Sequence, residues 1–133
     1  MAAEMTQDQS FRIERHGEVA VVIPSAKVEE MHETLITQAA KMVIDSLRSD
    51  PPAGIVIDLS RVNYVGSVFV SFLLRCHMLA KKTASEIVLA GASEPAKELL
   101  HLLDLETLWA MYDTRQQAVD ALGGIGLTSF DSD

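Results

Sequence analysis

Cysteine is almost missing from this chain. The single Cys76 in 133 residues has no partner for an internal disulfide and no companions for a thiolate metal site. Such scarcity suits a reducing compartment, and a cytoplasmic location is expected. Basic residues are also few, with 11 Lys and Arg against 19 Asp and Glu and a net charge of −8. Nucleic-acid backbones and anionic membranes are bound by clustered cations, so neither is an expected partner. Long apolar runs are lacking as well. The most apolar stretch, Val68–Leu74, is interrupted by Ser71 and ends at Arg75, well short of the roughly 20 residues that span a bilayer. Met1–Ser10 is polar and lacks the apolar centre of a signal peptide, so a soluble protein with no membrane insertion is expected.

Signatures of catalysis are equally sparse. His16, His32, His77 and His101 share no ligand spacing, and on a helix His77 points about 100° away from its neighbour Cys76. Gly91 stands alone after its strand, and Gly123-Gly124-Ile125-Gly126 follows a helix instead of opening one, so phosphate-loop and dinucleotide patterns are absent. No serine occupies a nucleophile elbow. Asp58 at a strand end reads as the tie for the adjacent turn before it reads as a catalytic carboxylate. Phe69, Phe72 and Trp109 read as core or edge aromatics, with Trp109 an interface candidate. No cofactor, metal or catalytic residue is expected, and a binding module is favoured over an enzyme. The rival class, a small α/β enzyme or nucleotide-binding domain, requires a pocket of convergent polar groups that the sequence does not supply.

What the chain does contain is a regular alternation of short elements within one domain. Residues 1–9 are polar and expected to be disordered. Phe11 and Ile13 alternate with Arg12 and Glu14, His16-Gly17 turns the chain, and Glu18–Ile23 returns as the second strand of a hairpin. A helix is expected from about Ala26 to Leu47, with Val28, Met31, Leu35, Ala39, Met42 and Val43 on its apolar stripe and Pro51-Pro52 beyond its end. Ile55–Leu59 reads as a buried strand. A second helix, Ser67–Lys82, presents Phe69, Phe72, Leu73, Cys76, Leu79 and Ala80 on one face. Glu86–Ala90 is a further strand. Ser93-Glu94-Pro95 starts a third helix with Ala96, Leu99, Leu100 and Leu103 on its stripe, and Thr107–Tyr112 is an edge strand. Thr114 and Gln117 form a capping box for a fourth helix ending at Leu122, with residues 123–133 a flexible tail. The order predicts an α/β fold over residues 10–122, a small mixed sheet of about five strands with about four helices packed against it.

The stretch 55–82 is the centre of this arrangement. Ser67 stands where a helix N-cap belongs, and a helix N-terminus tolerates negative charge. Two roles for it stay open, a capping hydroxyl or a site of phosphorylation.

Asp58-Leu59-Ser60-Arg61-Val62-Asn63-Tyr64-Val65-Gly66-Ser67, followed by an apolar helix, resembles the STAS domain (sulfate transporter and anti-sigma factor antagonist). The resemblance extends over roughly Phe11–Leu122 and includes Gly91, Ser93, Pro95 and the Tyr112-Asp113-Thr114 segment. It implies partner switching without catalysis. In bacterial anti-sigma factor antagonists a serine at this helix start is phosphorylated by a partner kinase, and it corresponds to Ser67. The family's preceding Asp is Gly66 here, the next hydroxyl is Val68 and the following Gly is Phe69, while Lys27-Val28-Glu29-Glu30 occupies the stretch before the first helix. The implied partner is an anti-sigma factor that is also a serine kinase. It would dock on Asn63, Tyr64, Gly66, Ser67, Val68 and Phe69, with Glu29 and Glu30 alongside. Phe69 is read either as narrowing access to Ser67 or as turning inward. The alternative is an unphosphorylated STAS scaffold subunit, constitutively bound in a sensory or lipid-transport complex. A homodimer is left open.

Overall fold

Alternating apolar and polar residues place Phe11 and Ile13 toward the main core and send Arg12 and Glu14 to the other side of the sheet. The computed structural model describes residues 11–26, 32–62 and 65–131 of the chain. Its strands are β1 (Phe11–His16), β2 (Val19–Pro24), β3 (Gly54–Asp58), β4 (Glu86–Ala90) and β5 (Ala110–Tyr112). Its helices are α1 (Glu33–Ser49), α2 (Ser67–Lys82), α3 (Glu94–Leu102) and α4 (Arg115–Asp131). The sheet runs β1-β2-β3-β4-β5, antiparallel in the opening hairpin and parallel from β2 onward. This is the mixed five-stranded sheet with four helices that the element order predicts.

The β2 to β4 strands are near-continuous apolar runs because both their faces are covered. On one face, α1, α2 and α3 bury Ala20, Val22, Ile55, Ile57, Ile87 and Leu89 in the main core. On the other, α4 alone packs Ala118 and Leu122 onto Val21, Val56 and Val88. Gly54 is required under this helix, since a Cβ there would meet Leu122 Cδ1 at 2.9 Å.

Local signals place the helix starts of α3 and α4. Ser93 Oγ accepts from the Ala96 N–H at 3.2 Å, and Pro95 occupies the first turn, where no intrahelical donor is lost. The Gln117 N–H donates to Thr114 Oγ1 at 3.1 Å while Gln117 Oε1 accepts from the Asp113 N–H, the reciprocal pattern of a capping box displaced by one residue on its return arm. The six residues expected on the inner face of α2 are the six that are buried.

Other expectations are corrected. The buried stripe of α1 is Ile36, Ala40, Val43, Ile44 and Leu47, whereas Leu35 and Met42 are exposed. Two apolar faces lie side by side on this helix, and docking on α2 and the sheet selects the one rich in β-branched residues. The part of the expected helix covering 27–31 lies outside the described residues, as do 1–10. Trp109 precedes β5 and is 3% exposed, a core residue and not an edge contact. Leu103 stands exposed past the end of α3. The fourth helix does not stop at Gly123-Gly124: α4 continues to Asp131. Glycine costs a helix about 1 kcal/mol per residue but still donates and accepts the backbone hydrogen bonds, so a pair of glycines weakens the helix without terminating it.

Candidate functional site

The loop between β3 and α2 is held from below by apolar anchors. Leu59, Val62 and Val65 are all buried, the Leu59 N–H donates to Ala90 O at 2.7 Å, and the Val62 N–H closes a turn onto Leu59 O at 3.0 Å. Asp58 secures the same turn: its Oδ1 accepts from the Ser60 N–H at 2.9 Å, as expected of an acidic residue at a strand end. Gly91, at φ +69°, lies so close that a Cβ would meet Ser60 Cβ at 3.0 Å and Asp58 Oδ1 at 3.2 Å. Both the left-handed backbone and the crowding select glycine there.

Asp58 is the only buried charged residue among those described, at 2% exposure. Its Oδ2 accepts from Arg115 Nε at 2.8 Å, and Arg115 Nη1 lies 3.4 Å from Glu14 Oε1. One guanidinium thus ties the first residue of α4 to the end of β3 and to β1. Sequence reading missed Arg115, because nothing local distinguishes it from any basic residue beside a helix cap. The Glu14 carboxyl is held below its usual range, first by its hydrogen bond to His16; burial opposes this, and the Arg115, Arg12 and His16 charges lower it further. A carboxyl lowered in the folded state stabilises it above the unfolded value of roughly 4.3 and loses that contribution as pH falls through the folded value. Urea unfolding should therefore show stability declining below about pH 4, less steeply in Glu14→Gln than in the parent protein. An unchanged acid slope in the variant would remove Glu14 as a source.

At the other end of the loop, Gly66 is the N-cap of α2, with φ −91° and ψ 177°, and its carbonyl accepts the first helical bond from the Val70 N–H at 2.9 Å. Among the described residues no side chain caps this N-terminus. The capping role considered for Ser67 is thereby corrected: Ser67 is the first helical residue, exposed, and its hydroxyl makes no side-chain hydrogen bond to the described residues. Val68 is half-buried. Phe69 turns inward, 4% exposed, with its ring centroid 6.5 Å from Phe11 and 5.6 Å from Phe72, so it is unavailable to a docked partner. Asn63, Tyr64, Glu29 and Glu30 lie outside the described residues. Ser67 and Val68 open onto a groove of about 180 Å³ whose far wall is α1, with Glu33, Ile36 and Thr37. Ser71 and Arg75 continue the α2 wall. These α1 and α2 positions were not assigned to the site from sequence, since their meeting depends on how the two helices cross.

Among the described residues no group of three or more His, Cys, Asp and Glu could hold a metal ion, and no helix is long and apolar enough to cross a membrane. Cys76 is buried, and burial pushes its thiol up to about 12, so it is protonated and unreactive near neutrality.

A parallel-centred sheet with three helices on one face, one on the other and an exposed serine opening α2 defines a small α/β domain. The family described as "Mlab, STAS domain" matches residues 35–112, and the chain belongs to the STAS-domain family. No curated protein matches the sequence. Among solved structures, a STAS-domain anti-sigma-factor antagonist protein from Planctomyces limnophilus is 25% identical, with a TM-score of 0.75 over 85% of this chain and 97% of that one. An anti-sigma factor antagonist from Mycobacterium paratuberculosis is 27% identical, with a TM-score of 0.68 over 85% and 92%. A chain from the stressosome, a signal integration and transduction hub, shares the fold at 20% identity, with a TM-score of 0.72 over 86% and 97%.

Proposed function

We propose that this STAS domain is a non-enzymatic regulatory module, an anti-sigma factor antagonist that docks on an anti-sigma factor with serine-kinase activity and is released by phosphorylation of Ser67. One observation carries the reading: Ser67 is exposed at the first turn of α2, its hydroxyl is uncommitted to any cap, and it borders the groove shared with α1. The kinase transfers the γ-phosphoryl group of its bound nucleoside triphosphate to Ser67 Oγ, the hydroxyl proton passing to a base of the kinase and the diphosphate leaving. The product adds about −1.5 to −2 charges. At a helix N-terminus that charge is tolerated by the fold, so its effect falls on the docked surface through repulsion and desolvation. A loss of about 4 kcal/mol weakens a complex roughly 10³-fold.

Because no cap bond is lost, Ser67→Ala should change unfolding free energy by less than about 0.5 kcal/mol, against about 1 kcal/mol for removal of a true N-cap. Intact-mass and phosphopeptide analysis of the protein from its own cells, with this variant as control, tests the switch. A single phosphate on Ser67, lost in Ser67→Ala together with partner exchange, is the expected result. A specific feature favours a second reading, the constitutively bound scaffold subunit of a sensory or transport complex: Gly66 and Val68 leave no carboxylate or second hydroxyl beside Ser67 for a kinase to read. No phosphate under any growth condition, with one partner always co-purifying, would establish that reading instead.

A further inference from the structure

Seven large apolar side chains are exposed among the described residues, and five of them lie on two adjoining surfaces. Leu74 and Met78 stand on the outer side of α2, while Leu102, Leu103 and Leu108 sit at and just beyond the end of α3. Both helices cover the same face of the sheet, and the edge-to-face contact of His77 with Trp109, at 5.8 Å, joins α2 to the segment that follows α3.

Charge is sorted between these surfaces. On a chain of net charge −8, α2 carries Arg75, Lys81 and Lys82 and no acidic residue. Lys81 and Lys82 pair with no carboxylate among the described residues, whereas Arg75 lines the Ser67 groove and acts on the Asp45 carboxylate of α1. The α3 side shows the reverse, with Glu94, Glu98, Asp104 and Glu106 exposed; Lys97 pairs with Glu94 at 3.4 Å and His101 with Glu106, while Glu98 and Asp104 pair with no cation among the described residues. Glu94, Lys97, Glu98, His101 and Glu106 line an open groove there of about 460 Å³.

We propose that these surfaces bind each other between two copies of this chain. A two-fold pairing sets the basic, apolar side of α2 in each copy on the acidic, apolar rim of α3 in the other, so that one patch serves both copies. The exposed leucines and Met78 form the apolar centre, and the opposed charges form the rim that sets register. A second copy is the occupant because each half of the complementary pair is already present on the chain. An unrelated acidic partner would satisfy α2 and leave the α3 rim unmatched. Met78, Lys81 and Lys82 lie outside the Ser67 groove, which Arg75 lines, so the contact centred on Met78 is separate from partner docking and stands whether or not Ser67 is phosphorylated.

Sedimentation equilibrium of the full chain at micromolar concentration tests the pairing. The parent protein should have about twice the 14.5 kDa chain mass in low salt. Lys81→Glu/Lys82→Glu and Glu94→Lys/Glu98→Lys should each weaken self-association by about tenfold or more, and their equimolar mixture should restore a dimer. Met78→Glu, at a position 62% exposed, sets an acid within the basic α2 face against the acidic rim and should weaken it likewise. Thermal unfolding of each variant establishes that it is folded, and Met78→Glu decides the matter if a double reversal is not. A single-chain mass for the parent throughout, or a dimer that survives Met78→Glu, would overturn the proposal.

Discussion

Arg115→Ala is expected to lower the unfolding free energy by about 3 kcal/mol, the lower part of the 3–5 kcal/mol range for breaking a buried ion pair. The lower part applies because the Arg115 side chain is 32% exposed while that of Asp58 is 3% exposed. Removing the guanidinium leaves the Asp58 carboxylate enclosed with the Ser60 N–H as its remaining donor among the described residues. Asp58→Ala should cost less through the ion pair itself, since Arg115 can then turn to water, although it also releases the Ser60 turn. The double variant should be less destabilised than the sum of the two single ones. Urea unfolding of the four proteins measures this cycle, and a loss below about 1 kcal/mol for Arg115→Ala would place the pair among ordinary surface salt bridges. The effect reaches the functional site because the end of β3 carries the loop leading to Ser67. A loosened Asp58 turn should therefore also weaken partner binding in the folded variant.

Phe69→Ala should lower stability by about 3–5 kcal/mol, as expected for truncating a buried phenylalanine. The ring belongs to a cluster with Phe11 and Phe72, the latter pair lying 4.8 Å apart, and little of the space it vacates can be refilled by so rigid a group of neighbours. Were Phe69 a partner contact, its removal would weaken binding and leave unfolding nearly unchanged. Thermal unfolding and partner affinity of the folded fraction, measured together, separate the outcomes. Unaltered stability with lost affinity would return Phe69 to the surface.

Phe69 shows where local reading ends. Its place on the inner face of α2 follows from helical spacing with Phe72, Leu73, Cys76, Leu79 and Ala80, and that face is the buried one. Its place beside Ser67 in a family motif suggests the surface instead, and the periodicity proves the better guide. The serine's role divides in the same way. Sequence located it at a helix start, but whether its hydroxyl caps the helix depended on one residue of register, and Gly66 takes the cap.

The sequence by itself determined the element order, the mixed α/β class, the buried side of α2 and the helix starts at Ser93 and Thr114. Each rests on spacing of two to four residues or on a side chain reaching its own backbone, so the information is local. Only tertiary structure decided which of two apolar faces α1 buries, why Gly91 is crowded by Ser60 and Asp58, and that Asp58 finds Arg115 across 57 residues of chain. The groove beside Ser67 belongs to the same group. These features are contacts through space, set by how α1 and α2 cross and how α4 returns over the sheet, and no repeating pattern along the chain encodes such a crossing.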